Sequence, residues 1–111
     1  MHHPLAAPLQ AAGLRQTFSR LEVLSQFCLA GDQASTGAEV YAGLTRRGVP
    51  MAYSTVYRML QTLSYAGLLL PAGTRGRHPC YRPSPAVLNA WQARPSPVSG
   101  VGLSGPTSPS A

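Results

Sequence analysis

The stretch Met51 to Leu60, MAYSTVYRML, and the Gln61 that follows it hold the side chains with most chemistry to offer. Drawn as a helix, the stretch puts Val56, Met59, Leu60 and Leu63 on one apolar stripe at i, i+3, i+4 and i+7. The opposite face carries Ser54, Thr55, Tyr57, Arg58 and Gln61. Each of the five donates hydrogen bonds and none is acidic. Such a face suits a partner that is anionic and rich in acceptors.

The charge balance points the same way. The 111 residues include nine basic and three acidic side chains, a formal charge of +6, and every basic one is arginine. A planar, permanently charged fork suits phosphates and base edges, so the excess indicates a polyanion. GC-rich codon bias accounts for the missing lysine but not for the scarcity of Asp and Glu.

Catalysis has little support. Glu22, Asp32 and Glu39 are the only carboxylates, and no Ser/His/Asp or Cys/His set falls on a shared element. Cys28 and Cys80 are too few for a disulfide framework. Cys28 reads as a small buried hydrophobe. His78 and Cys80 flank a proline and fall short of a closed metal site, and His2 and His3 are given no function. The start, MHHPLAAPLQAAGL, lacks the basic n-region and apolar core of a signal peptide, and no apolar run approaches membrane-spanning length. A soluble cytoplasmic protein without membrane contact is the expectation.

The elements that must position this face follow from periodicity and punctuation. Residues 1–13 form an Ala/Pro leader, read as flexible. Residues 14–83 are periodic and globular. A first helix runs from about Ser19 to Leu29, with Leu21, Leu24, Phe27 and Cys28 on one side and Gly31 as its stop. A second opens at Thr36 with Glu39 three residues on, the capping-box pattern, and faces Val40, Tyr41 and Leu44 inward. The third is the opening stretch, ending near Ala66 before Gly67. Then GLLLPAGTRGRHPCYRP reads as a short strand, a turn and a possible return strand, kept short and edge-like by Pro71 and Pro79. Residues 84–94 suit a short helix with Ser84 as N-cap. In residues 95–111, twelve of seventeen are Pro, Ser or Gly, a composition too polar to offset ordering, so this tail is read as disordered.

The fold class that follows is mainly α with a small β-hairpin: a winged helix-turn-helix, three helices and a two-stranded wing. Its third helix is the one that enters a major groove. Arg75 and Arg77, at the wing tip, are read as phosphate contacts. Arg20, near the start of the first helix, either touches phosphate or pairs with Glu22 or another acid. Tyr41 reads as core or helix packing.

Three segments in order, GLRQTFSRLEVL, STGAEVYAGL and YSTVYRMLQTLSYAGLL, resemble the DNA-binding half of the ferric uptake regulator family, metal-sensing winged-helix repressors. The most specific piece is Thr55-Val56-Tyr57-Arg58 with Leu60 and the Ala66-Gly67-Leu68 exit, and the similarity covers residues 13 to about 83. The resemblance implies double-stranded DNA as partner, an A·T-rich palindromic operator, and three roles. Tyr57 matches the tyrosine that packs on a base, typically a thymine methyl. Arg58 matches its phosphate-binding neighbour, and Arg15 the basic residue that reaches into an A·T-rich minor groove. The chemistry agrees, since a phenol brings an apolar ring to a methyl and narrow A·T grooves attract arginine.

Family members normally continue into a second domain that dimerises and holds metal through histidine clusters and C-x-x-C pairs. Here PSPAVLNAWQARPSPVSGVG follows the wing, without C-x-x-C or a His cluster after Arg82. The chain therefore reads as a regulator cut off after its reading head. Zinc or iron is expected of full-length members and no cofactor of this chain, and any dimer partner comes in trans. The alternative is a winged-helix interaction module, or a remnant, that does not read DNA specifically. In the module, Val87, Leu88 and Trp91 form an exposed docking surface.

Overall fold

The computed structural model describes residues 3–31 and 33–93. The chain runs α1 (Ala6–Ala11), α2 (Phe18–Leu29), β1 (Ser35–Thr36), α3 (Gly37–Arg46), α4 (Tyr53–Tyr65), β2 (Leu69–Arg75), β3 (His78–Pro83) and α5 (Pro85–Gln92).

Polar side chains set the helix starts. The Thr17 hydroxyl accepts the Arg20 N–H at 3.2 Å ahead of α2. At α3 the box is reciprocal: Glu39 N–H donates to Thr36 Oγ1 at 3.1 Å, and Thr36 N–H to Glu39 Oε1 at 2.9 Å. Ser84 caps α5 by accepting the Val87 N–H at 3.3 Å. The apolar stripes then converge. Val23, Leu24, Phe27 and Cys28 of α2 meet Val40 and Leu44 of α3 and Val56, Leu60 and Leu63 of α4 in one cluster. Helices α2 and α3 approach closely at Gly43, where a Cβ would stand 2.2 Å from Gln26 Nε2. The same Gln26 accepts a hydrogen bond from Arg47 Nε at 2.7 Å.

The leader departs from the flexible segment expected of it. Its residues from Ala6 to Ala11 are helical, and Leu5 and Leu9 are fully buried in the core cluster. His3 holds the entry to α1: its Nδ1 accepts the Leu5 N–H at 3.0 Å and its Nε2 lies 3.3 Å from Ser25 Oγ. Burying two leucines spaced one turn apart in the core cluster, where the leader meets α5, offsets the weak local signal of an Ala/Pro stretch.

The wing is also larger than the short two-stranded hairpin read from the sequence. It is a three-stranded antiparallel sheet in the order β1-β3-β2. Ser35 pairs with Tyr81 and Thr36 with Cys80, so the two residues before α3 add a strand. The prolines lie inside strands rather than bounding them. Pro71 is on the edge strand β2, and Pro79 of the central strand lies beyond the short reach of β1, where its missing N–H interrupts no ladder. The register shifts between Pro71 and Thr74. The turn is Gly76-Arg77, and Gly76 supplies its φ of +65°.

Helix α5 forms as expected but does not present a docking face. Val87 is fully buried, and Ala90 and Trp91 pack against the core. The helix covers α1, α2 and β3. Arg94 and the tail of residues 95–111 lie outside the described residues, as does Asp32.

Candidate nucleic-acid interface

Helix α4 divides as its sequence dictates. Val56 and Leu63 are wholly buried and Leu60 nearly so, while Met59 packs at the cluster edge. On the other side Ser54, Tyr57, Arg58 and Gln61 are exposed, with Thr55 half-buried between the two faces. Tyr57 is 52% exposed, well beyond what a packed tyrosine shows. Arg58 makes no ion pair or hydrogen bond among the described residues. Ala52, the N-cap, offers no side-chain acceptor, so no side chain caps the first N–H groups of α4. A helix start of this kind favours an anion.

Tyr53 is a member of this surface that sequence reading missed. Its ring stacks on Tyr57, with centroids 6.5 Å apart and planes at 24°. Tyr41 of α3 meets Tyr53 edge-on at 5.4 Å and 76°. Tyr41 is 39% exposed, so it does not turn into the core with Val40 and Leu44, while its contact with Tyr53 is the helix packing that was the other expectation. The spacing of Tyr53 and Tyr57, one helical turn, was the available signal.

The arginines separate into engaged and available ones. Arg15 is exposed in the segment between α1 and α2. Its carbonyl accepts from Arg20 Nη1 at 3.0 Å and from the Thr17 N–H at 2.9 Å. Arg20 therefore holds the backbone of Arg15. It does not pair with Glu22, which meets Arg47 at 3.3 Å. Leu14, next to Arg15, lines one groove with Gln61, Thr62 and Tyr65, so the Arg15 segment runs beside α4.

At the wing the two candidate arginines part company. Arg77 is exposed at the turn and makes no ion pair among the described residues. Arg75 turns back, pairs with the Glu39 carboxylate and donates from Nη2 to the Ala34 carbonyl at 3.1 Å. It is committed to the protein rather than held out as a phosphate contact. Glu39 in turn lies below the usual carboxylate range. The Thr36 N–H is the main cause and the Arg75 guanidinium a further one, against some desolvation. Both described carboxylates, Glu22 and Glu39, are thus matched by arginine. Arg15, Arg58 and Arg77 face solvent with positive charge uncompensated by an ion pair among the described residues.

No three His, Cys, Asp or Glu side chains gather to hold a metal ion among the described residues. Cys80 is buried, and its thiol lies 4.0 Å from the His78 carbonyl. Among them, too, no helix is long and apolar enough to cross a membrane.

A helix-turn-helix with an outward polar helix and a three-stranded wing defines a winged-helix protein. The chain belongs to the ferric uptake regulator family, whose model matches residues 11–85. Members are transcription regulators, not enzymes. The chain is 31% identical over 70 residues to the ferric uptake regulation protein of Pseudomonas aeruginosa, covering 63% of this chain and 52% of that one. It is 33% identical over 63 residues to the protein of that name from Neisseria meningitidis, covering 57% and 44%. The chain thus spans about half the length of the curated relatives it matches. Among solved structures, the Vibrio cholerae ferric uptake regulator, described by the rearrangement of its DNA-binding domains, superposes with a TM-score of 0.65 at 28% identity. That match covers 71% of this chain and 60% of the other. The Pseudomonas aeruginosa regulator with manganese gives 0.66 at 28% identity, covering 71% and 59%.

Proposed function

We propose that this chain binds double-stranded DNA as a regulator of transcription, of repressor type, laying α4 in the major groove. The observation that carries the reading is the two-sidedness of α4. Its apolar stripe is spent on the core, and Ser54, Tyr57, Arg58 and Gln61 stand exposed without an acid among them. Tyr57 packs its ring on a thymine methyl, and Arg58 grips phosphate. Arg15 enters the adjacent A·T-rich minor groove, its backbone steadied by Arg20. Arg77 meets the sugar–phosphate backbone from the wing. The operator is A·T-rich and palindromic, and a partner chain that supplies two-fold symmetry sharpens the binding.

A single module of this kind covers about 600–1,000 Å² of DNA-facing surface, so binding by one copy is weak. The test is a titration of the isotopically labelled protein with an A·T-rich palindromic duplex, followed by NMR. Shifts concentrated in residues 53–61, around Arg15 and at Gly76-Arg77 support the reading. Shifts concentrated in α5, with α4 silent, contradict it.

A further inference from the structure

Tyr41, Tyr53 and Tyr57 form a ladder that crosses from α3 to the first two turns of α4. The contacts are edge-on between Tyr41 and Tyr53, and stacked between Tyr53 and Tyr57. Both centroid distances lie in the range where aromatic rings attract. Burial alone cannot fix these rings, because they are 39%, 47% and 52% exposed. An exposed helical tyrosine without such neighbours exchanges rotamers within nanoseconds. The middle rung is itself closely seated. A Cβ on Gly37 would stand 3.7 Å from the Tyr53 hydroxyl and 2.9 Å from Leu60 Cδ1, so Tyr53 lies near the start of α3.

We infer that Tyr53, braced by Tyr41, is a positioning residue that holds the Tyr57 ring ready for a base and so sets how well α4 discriminates between sequences. The inference rests on the reading of α4 as the DNA-reading helix. A ring already held loses less rotational freedom when it docks. That gain falls on base contact and leaves the salt-dependent phosphate attraction untouched. The brace needs the face of the Tyr53 ring and not its hydroxyl. Phenylalanine therefore serves in its place, and leucine, an apolar and better helix former without a ring, does not.

The experiment has two arms, run on wild type, Tyr53→Phe and Tyr53→Leu. In the free protein, NMR of labelled tyrosine follows the Tyr57 ring protons. Ring-current-shifted resonances in wild type and Tyr53→Phe, relaxing to random-coil positions in Tyr53→Leu, establish the brace. In the second arm, fluorescence anisotropy gives affinities for an A·T-rich palindromic duplex and for its scrambled counterpart. The ratio of the two falls roughly three- to tenfold in Tyr53→Leu. It is kept in Tyr53→Phe, with the thermal midpoint unchanged in both. Tyr57 resonances indifferent to Tyr53→Leu overturn the inference, as does an unchanged ratio in a wild type that discriminates. A wild type that treats the duplexes alike sinks the DNA reading itself, and the free-protein resonances tell that failure from loss of the brace.

Discussion

Arg75 of strand β2 is fastened to Glu39 in the first turn of helix α3. The same carboxylate completes the α3 capping box with Thr36, so one side chain joins a helix start to the wing. Thr36 is also paired in the sheet through Cys80 of β3. The wing is therefore held to the helix-turn-helix by backbone pairing and by a cap, with the ion pair on the outside. Its tip, Gly76-Arg77, lies one residue beyond the fastening point.

Removing the cap separates these contributions. Thr36→Ala leaves the Glu39 N–H without its acceptor and destabilises the domain by about 1 kcal/mol in urea denaturation. A loss indistinguishable from zero would mean that water satisfies the α3 start as well as threonine does.

Glu39→Gln keeps an oxygen for the Thr36 N–H and removes only the charge that holds Arg75. The freed guanidinium becomes available to phosphate. The dependence of log affinity on log salt, about −3 for contacts by Arg15, Arg58 and Arg77, then steepens by about one unit. An unchanged slope would show that Arg75 stays bound to the protein or already meets phosphate in the wild type.

The pH dependence follows from the direction of the Glu39 shift. Its folded-state value is lowered from the ordinary 4.5 by the Thr36 N–H and by Arg75. Its contribution to stability is then fully present above the unfolded-state value and is lost as pH falls through the lowered folded one. The stability difference between wild type and Glu39→Gln should be constant from neutrality down to about pH 5 and should close in stronger acid. A difference that widens in acid would reverse the assigned sign.

Leu9→Ala tests whether the leader belongs to the domain. Leu9 is fully buried among core residues, so truncation costs about 2–5 kcal/mol. Denaturation unaffected by this change would return the leader to the flexible segment its composition suggests.

Much of the scaffold was legible because its signals are local. The 3.6-residue stripes of α2 and α4, the Thr36–Glu39 pair and the Ser84 cap each sit within one helix and need no tertiary knowledge. Cys28 was rightly read as a buried side chain. The α1 helix was hidden because Leu5 and Leu9 stand among alanines and prolines, without the polar contrast that makes a stripe visible. Strand β1 is two residues long and exists only through its pairing with Tyr81 and Cys80. Tyr41 follows Val40 by a single residue, about 100° of helical rotation, enough to carry it out of the core. Arg75 and Arg77 look equivalent in TRGRH. Arg75 ends β2 paired with His78 and folds back on Glu39, while Arg77 falls in the turn, a difference set by the strand pairing and not by the residues. The α4 face was readable because one periodic pattern sets its core side and its outward side together.

Base reading by the outward side of α4 rests on the Tyr57 ring. It is tested most directly by comparing wild type and Tyr57→Ala for affinity to an A·T-rich palindromic duplex and to the same bases scrambled, at one fixed salt concentration. Alanine should remove most of the preference for the palindrome, while affinity for the scrambled duplex, carried by the arginines, stays nearly unchanged. An alanine variant that keeps the full preference of the wild type would contradict it.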